Sequence, residues 1–323
     1  MADKITALHY SPKTGAAYVE WARRFILFHN KRHPREMGAA EVEAFVNHLA
    51  NDRRVSASTQ NQAFHAVKFL YTHVLKIELP AINLLRAKQG KHLPVVLNPE
   101  DTLRVLDEVE GEPFNLMARL LYGAGLRLRE CLTLRVKDID FGNSIITVRG
   151  GKGNKDRTVP LPRTLVKPLM DQLGICRNLW NIDRQRGMPG VYVPDALDVK
   201  YPNLGCEFGW FWVFPAQGYS TDPATKIRRR HHQHESELQR RIHAASKRAG
   251  VVQRVSPHVF RHCFATHLLL GGYDIRTVQD LMGHNDVKTT MIYTHVTMPG
   301  GWKHVVSPLD NAPMRGSYAS AGV

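Results

Sequence analysis

Apolar residues recur at helical spacing in three stretches near the start of the chain, which begin near Ser11, Ala39 and Ser58. Pro12 follows Ser11, and this pair is typical of a helix start because the hydroxyl caps the first turn and proline fits the first helical position. The third stretch has a polar face that carries Lys68. The pattern therefore predicts three helices.

A basic stretch at residues 86–97 contains Gly90 and Pro94. Beyond it, some segments have apolar residues at helical spacing and others have the apolar runs typical of strands. A long apolar helix is expected to carry Arg127 and Glu130 on one face. A Gly142-Asn143 turn predicts a hairpin, and a third strand follows it. We predict helices over 100–109 and 114–134, and strands over 136–141, 144–149 and 158–161.

Titratable side chains gather in the last third of the chain. His258 and Arg261 lie three residues apart in a predicted helix and so share one face. A second helix is predicted to end at Gly283, which places His284 directly after a helix end, and Tyr293 follows nine residues later. Histidines, a guanidinium and a phenol together suit phosphoryl transfer.

Five short motifs occur in order: GLRxxE from Gly125, GKGNK from Gly151, HxxR from His258, GH from Gly283, and Tyr293. This set resembles the tyrosine recombinase (phage integrase) family over most of residues 98–297. The resemblance implies a mainly α fold with a small antiparallel β-sheet, in which a helical core-binding domain precedes an α+β catalytic domain. The expected division is 1–85 for the core-binding domain, 86–97 for a basic linker, 98–310 for the catalytic domain and 311–323 for a flexible tail.

The resemblance also implies a mechanism in which Tyr293 attacks DNA and forms a 3′-phosphotyrosyl bond. Arg127 and Arg261 would clamp the phosphate, with Glu130 orienting Arg127, and Lys152 would be the general acid. No cofactor is expected, because the arginines replace a metal ion and the phosphotyrosine conserves bond energy without ATP. The implied catalytic set is Arg127, Lys152, His258, Arg261, His284 and Tyr293.

Composition agrees with a polyanionic partner. The 323 residues carry a formal charge of +15, which on its own suits nucleic acid or an anionic membrane. No apolar run reaches the roughly 18 residues of a membrane span, so no membrane association is expected. Four scattered cysteines predict neither disulfides nor a zinc site, and fit a reducing bacterial cytoplasm, where a recombinase would work at the nucleoid.

An insertion over about 176–235 departs from a minimal recombinase. Its ALxxKYPN, WxWxFPA and RRHHxHE strings resemble the integron integrase subfamily, which implies insertion and excision of gene cassettes at attI sites and at attC sites folded as single-strand hairpins. Bases bulged from such a hairpin need flat side chains to stack on, and the candidates are Trp210, His231 and His232. One of Trp210 and Trp212 is expected to be buried in an aromatic strand instead. A metal site at His231, His232 and His234 is an alternative.

The remaining expectations concern contacts and assembly. Contacts with the DNA backbone are predicted for Lys68, Lys88, Lys91, Lys155 and Arg157. By resemblance, the apolar stretch from Trp302 to Leu309 docks into a neighbouring subunit of a homotetramer on two paired sites; packing on its own domain is the alternative. Other functions left open are a Xer-like recombinase on duplex sites, a type IB topoisomerase and a non-catalytic DNA-binding protein.

Overall fold

The structure, a computed structural model, describes residues 1–8, 10–80, 94–150, 156–222, 225–283 and 307–310, with the backbone alone for 195 and 196. The chain divides into two units, Met1–His92 and Leu93–Val323, and each is described by itself. Across the described residues, none of the helices combines the length and apolar character that crossing a membrane requires.

The first unit is helical around one apolar core. Ser11 caps the helix Pro12–Phe28 by accepting a hydrogen bond from the Thr14 amide at 3.1 Å, as its sequence predicts. Phe25 and Tyr71 are fully buried, and the Tyr71 hydroxyl lies within hydrogen-bonding distance of two backbone carbonyls. Lys68 is exposed on the opposite face. The helices are α1 Ala2–Ala7, α2 Pro12–Phe28, α3 Ala39–Asn51 and α4 Ala57–Phe69, which continues as a π-helical turn over Leu70–Leu75.

The second unit combines helices with two small antiparallel sheets, and this confirms the predicted fold class. One sheet has the order β1-β2-β3 and the other is the hairpin β4-β5. The strands are β1 Ile139–Asp140, β2 Ile145–Val148, β3 Arg157–Pro160, β4 Pro215–Thr221 and β5 Arg228–His232. The helices are α5 Pro99–Asp107, α6 Phe114–Gly123, α7 Leu128–Leu132, α8 Val166–Gln185, α9 Asp195–Lys200, α10 Glu235–Arg248, α11 Pro257–Leu270 and α12 Ile275–Met282.

The predicted helix over 114–134 is wrong in one respect, because it breaks into α6 and α7. Gly125 lies between them with a φ of +62°, and a Cβ there would lie 2.3 Å from the ring of Phe264. Only glycine tolerates both the backbone angle and this close packing. Arg127 is therefore the N-cap residue of α7 rather than a residue of a helix face.

Residues 307–310 pack on the second unit of their own chain. Ser307 donates a hydrogen bond to the Gly123 carbonyl at 2.6 Å, Leu309 is 6% exposed in the core, and the Asp310 carboxylate accepts the Arg163 amide at 3.0 Å. This corrects the expectation that the whole stretch from Trp302 to Leu309 docks into a neighbour, because burial of Leu309 is satisfied within the chain. Residues 302–306 of that stretch lie outside the described residues.

A buried ion pair joins the hairpin β4-β5, which lies in the insertion over about 176–235, to α8. The Arg230 guanidinium donates to both oxygens of Asp183, at 2.7 and 2.6 Å, and both side chains are 4% exposed. The Tyr219 hydroxyl donates to the same carboxylate at 2.7 Å. These contacts join the hairpin to α8, and the pair satisfies charges that burial would otherwise penalise.

Breaking this pair is expected to destabilise the second unit strongly. Asp183→Ala leaves the buried Arg230 charge uncompensated and should cost about 3–5 kcal/mol of unfolding free energy, measured by urea denaturation. Asp171→Ala is the matched control: it removes an exposed Lys167 partner on the same helix and should cost under about 1 kcal/mol. Adding Arg230→Met to Asp183→Ala should recover part of the loss, and equal losses for the two single variants would contradict the assignment.

Candidate active site

Three arginines meet one carboxylate at the centre of the second unit. Glu130, in the first turn of α7, accepts hydrogen bonds from Arg127 Nη1 at 2.6 Å and from the Arg127 amide at 2.8 Å. Arg157 forms a two-pronged pair with the same carboxylate, at 2.9 and 2.7 Å, and Arg261 Nη1 lies 3.7 Å from Glu130 Oε2. We call these four side chains the Glu130 cluster. The predicted contact between Glu130 and Arg127 is present.

The same arginines also bind the C-terminal end of α12. Successive carbonyls there accept from different guanidiniums: Leu281 from Arg157 Nε at 2.8 Å, Met282 from Arg261 Nη2, and Gly283 from Arg127 Nη2 at 3.1 Å. The last carbonyls of a helix lack partners within it and carry partial negative charge, so three cations stabilise this end. The arginines of the Glu130 cluster therefore fix the position of the last turn of α12.

Gly283 makes the close approach of Arg157 possible. Its φ is +59°, and a Cβ at this position would lie 3.0 Å from Arg157 Cδ. Arg261 also donates to the carbonyl of Gly125, on the other side of the site. The two glycines thus bring backbone up to two of the arginines where a larger residue would be strained.

The charge of the cluster is stable over a wide pH range. Burial acts to raise the pKa of Glu130, but hydrogen bonds and charge from Arg157, followed by those from Arg127, lower it to about 2. The carboxylate is therefore ionised at neutral pH. One carboxylate facing three guanidiniums leaves these four side chains electropositive, which suits an anion such as a phosphodiester.

His258 and His262 lie one turn apart at the start of α11. Their rings make an edge contact with centroids 4.7 Å apart. Desolvation by the surrounding protein, followed by the charges of Arg261 and Arg127, lowers the pKa of His258. The protein encloses part of His258 and leaves the rest exposed to solvent. The lowered pKa keeps the imidazole uncharged at neutral pH, and so it can accept a proton.

His262 is expected to make stability depend on pH. Desolvation, with His258 and Arg261 nearby, lowers its pKa to about 4, against about 6.5 in an unfolded chain. Between these values the unfolded chain binds a proton that the folded chain does not, so stability is complete above pH 6.5 and falls as the pH drops toward 4. Allowing for partial exposure, the loss attributable to His262 is about 1–2 kcal/mol.

The measurement is the unfolding free energy by urea at pH 4.5 and 7.5. His262→Gln should show a smaller loss on acidification than the parent chain. His243→Gln, at an exposed position on α10, should lose as much as the parent. An unchanged pH dependence in His262→Gln would contradict the prediction.

Comparison with known proteins identifies the family. A profile of the phage integrase family matches residues 96–299, and a profile of the phage integrase N-terminal SAM-like domain matches residues 1–81. The chain belongs to the phage integrase family of tyrosine recombinases. An integrase/recombinase of Escherichia coli is 50% identical over 314 residues, which cover 97% of this chain and 93% of that protein. The tyrosine recombinase XerA of Thermococcus onnurineus is 31% identical, with 89% of this chain and 86% of XerA covered.

Solved structures of other recombinases share the fold. The Tn1549 transposon integrase, in complex with transposon right end DNA, gives a TM-score of 0.61 at 16% identity, with 90% of this chain and 92% of that chain covered. XerH bound to a palindromic difH substrate gives 0.58 at 20% identity, with 87% and 76% covered. At these identities the similarity concerns the fold alone.

For this recombinase, the structure brings together three of the six predicted catalytic side chains: Arg127, His258 and Arg261. The other three, and three of the predicted DNA contacts, lie outside the described residues: Lys152, His284 and Tyr293, with Lys88, Lys91 and Lys155. The nearest described residues on either side of Lys152 are Gly150 and Asp156.

Arg157 corrects a prediction. It was expected to contact the DNA backbone, but its side chain is 9% exposed and binds Glu130 and the Leu281 carbonyl. The reason is that Arg157 begins β3, an edge strand of its sheet, and its side chain extends to Glu130 of α7 and to Leu281 of α12. Among the predicted DNA contacts, Lys68 does lie exposed on the first unit.

The segment with Trp210 and Trp212 does not form the predicted aromatic strand. Trp210 ends a 3-10 turn over Phe208–Trp210, and the backbone of Trp212 forms an isolated β-bridge with Arg135 rather than part of a strand. Trp212 is 3% exposed, so the expectation that one of the two tryptophans is buried holds for this one. The Arg135 guanidinium lies 4.0 Å from the Trp212 ring centre and donates to the carbonyls of Trp210 and Tyr192, and these contacts shape the segment.

Trp210, His231 and His232 are all half-buried in the same region. Lys137 Nζ lies 2.9 Å from the Trp210 ring centre, so one face of the indole is occupied by a cation. His232 makes an edge contact with Trp212 and donates from Nδ1 to the Gln233 carbonyl at 2.7 Å. His231 Nε2 has no hydrogen-bond partner among the described residues. Within the same residues, the His, Cys, Asp and Glu side chains form no metal-binding group of three.

Sequence reasoning missed two parts of the site. His262 could have been found from its spacing of four residues from His258. The carbonyls at the end of α12 could not, because a backbone acceptor has no residue-type signal. They become visible only when α7, β3, α11 and α12 are brought together.

Proposed function

We propose that this recombinase is an integron integrase, which cuts and rejoins DNA through a covalent tyrosine intermediate. The observation that carries the covalent chemistry is the Glu130 cluster, with His258 beside it and the end of α12 held against it, while the choice of substrate rests on the insertion. An electropositive group of arginines with a neutral histidine is what a phosphodiester in transfer needs. A protein that only binds DNA has no need for such a buried constellation.

In the proposed reaction, the Tyr293 oxygen attacks the scissile phosphorus and the bond from phosphorus to the 5′-oxygen breaks. The phenol proton passes to a neighbouring base, and Lys152 gives a proton to the departing 5′-oxygen. Arg127 and Arg261 stabilise the non-bridging oxygens, while His258 and His284 hydrogen-bond the phosphate and handle protons. A second strand's 5′-hydroxyl then reverses the step, so the reaction consumes no ATP.

The proposed substrate is a folded single-strand attC hairpin, recombined with an attI site to insert or excise gene cassettes. What supports it is the hairpin β4-β5, which Arg230 and Asp183 join to α8. Its strand β5 carries His231 and His232, Trp210 lies nearby through Arg135 and Trp212, and all three rings are half-buried. A bulged base stacked on one of these rings would gain about 1–3 kcal/mol. Because Lys137 and the Arg135 guanidinium lie 2.9 and 5.1 Å from the centre of the Trp210 ring, a base that stacks on this ring would displace a cation or use ring surface that the two leave open.

The proposed DNA contacts of the first unit use the exposed face of α4 with Lys68, and the basic stretch 86–97 would follow the phosphates. Structures of XerH and of the Tn1549 integrase in complex with DNA support DNA as the partner. A homotetramer on two paired sites is proposed as the working assembly, with residues 302–306 as the part of the C-terminal segment left to join protomers.

The similarity to XerA favours one other function, recombination of duplex sites. The deciding experiment measures covalent protein–DNA adduct on denaturing gels, without added metal or ATP. The probes are a nicked attC-like hairpin with bulged bases and the matching perfect duplex. At least about tenfold more adduct on the hairpin supports the proposal, since stacking of one base accounts for such a ratio. Equal trapping supports duplex recombination, and no adduct on either probe overturns the recombinase activity itself.

A further inference from the structure

We propose that Arg157 is a positioning residue of the recombination site, which holds Glu130 and the end of α12 in place while Arg127 and Arg261 engage the phosphate. This inference rests on the proposed function. It assigns to Arg157 a role other than the contact with DNA that its sequence position suggests.

The contacts of Arg157 are already directed to protein. Its Nη1 and Nη2 atoms donate to the two oxygens of Glu130, and its Nε donates to the Leu281 carbonyl at 2.8 Å. Its side chain is 9% exposed and that of Glu130 is 10% exposed. The planar fork matches the carboxylate, and a lysine cannot reproduce this geometry. Arg157 thus acts through Glu130 and Leu281 and not through the phosphate.

The position of Arg157 joins three parts of the site. Its backbone begins β3 and pairs with Val148 of β2, directly after the segment that contains Lys152. Its side chain reaches α7 through Glu130 and α12 through Leu281. A single residue therefore links the hairpin of the proposed general acid, the carboxylate that orients Arg127, and the helix end that precedes His284.

Arg157 also solves a problem created by substrate binding. In the structure, Arg127 and Arg261 each bind a carbonyl at the end of α12. When these two guanidiniums turn donors toward a phosphate, their hold on those carbonyls weakens. Arg157 keeps its own carbonyl, so the end of α12 and Glu130 remain fixed. A displacement of about 1 Å at such a site can reduce a rate about 100-fold.

The experiment compares Arg157→Gln and Arg157→Lys with the parent chain in single-turnover adduct formation, on whichever of the two nicked probes the parent cleaves. Arg248→Gln is the control, on α10, because its partly exposed side chain pairs with the exposed Glu108. DNA affinity and thermal unfolding are measured for each variant, and rates are taken well below the lowest unfolding temperature. Adduct formation by the parent tests the proposed function first, separately from Arg157.

Both Arg157 variants are expected to cleave about 100-fold more slowly and to bind the probe within about threefold of the parent, with Arg248→Gln close to the parent in both respects. The defect is also expected with a 5′-bridging sulfur in place of oxygen, because that leaving group needs no proton and the loss lies in placing Arg127. Lys152→Ala should instead regain its rate on the sulfur probe.

Three results would overturn the inference. They are normal cleavage by Arg157→Gln, a loss of DNA affinity that accounts for its slower cleavage, and full rescue by the sulfur probe. If Arg157→Gln does not fold, Arg157→Lys decides: parental cleavage by this variant shows that charge alone suffices and refutes the positioning role.

Discussion

Replacing Tyr293 by phenylalanine is expected to abolish the covalent protein–DNA adduct while leaving DNA affinity within about threefold of the parent. The substitution removes only the oxygen that would bond to phosphorus, and a phenyl ring cannot form that bond. The measurement is adduct on denaturing gels, beside a gel-shift titration with the same nicked probe. Undetectable adduct with normal binding is the expected pair of results.

An adduct that persisted in Tyr293→Phe would mean that the nucleophile is misassigned. Tyr122 is then a poor substitute, because its side chain is 1% exposed, burial raises its pKa, and its hydroxyl is hydrogen-bonded to His267 Nδ1 at 2.9 Å. Tyr273 is only partly buried and is the residue to test next. Tyr122→Phe serves as the control that should keep full adduct formation.

Arg261→Lys is expected to reduce the cleavage rate by about 100-fold or more, equivalent to about 2.7 kcal/mol of transition-state stabilisation. Arg261 is 1% exposed, and its two terminal nitrogens donate to carbonyls on opposite sides of the site, at Gly125 and Met282. A lysine ammonium lacks the planar fork, so it can neither bridge these two carbonyls in the free protein nor present a flat pair of donors to phosphate oxygens. Single-turnover adduct formation measures the effect.

The control for Arg261→Lys is Arg248→Lys, a change at a partly exposed arginine paired with Glu108 that should leave the rate unchanged. Unfolding curves of Arg261→Lys separate lost chemistry from lost structure. Near-normal cleavage by a folded Arg261→Lys would refute the arginine clamp.

Much of the helical architecture could be predicted from local pattern. Ser11 caps the helix that its sequence predicts, and Gly283 follows the last residue of α12 in the left-handed conformation. These outcomes depend on hydrogen bonds and backbone angles within a few residues, so local sequence is sufficient. The break between α6 and α7 depends on Phe264, far away in sequence, and the apolar pattern alone could not show it.

In the candidate site too, some residues could be predicted from local sequence and others could not. Arg127, His258 and Arg261 were predicted from motifs with recognisable spacing and lie in one site, and Glu130 was expected to orient Arg127. The role of Arg157 was assigned differently, since a basic residue after a glycine-rich turn resembles a DNA contact. Its partner Glu130 is 27 residues away, and no local pattern reveals that pairing.

The sequence by itself indicated where several helices begin and end, which residues to expect in the site, and a resemblance to tyrosine recombinases, because capping, periodicity and short motifs are local properties. Only the tertiary structure decided that one carboxylate holds three arginines, that those arginines bind the end of α12, and that Leu309 packs in the chain's own core. The physical reason is that buried charges and backbone carbonyls take whatever partners packing brings within about 3 Å, and those partners come from distant parts of the chain.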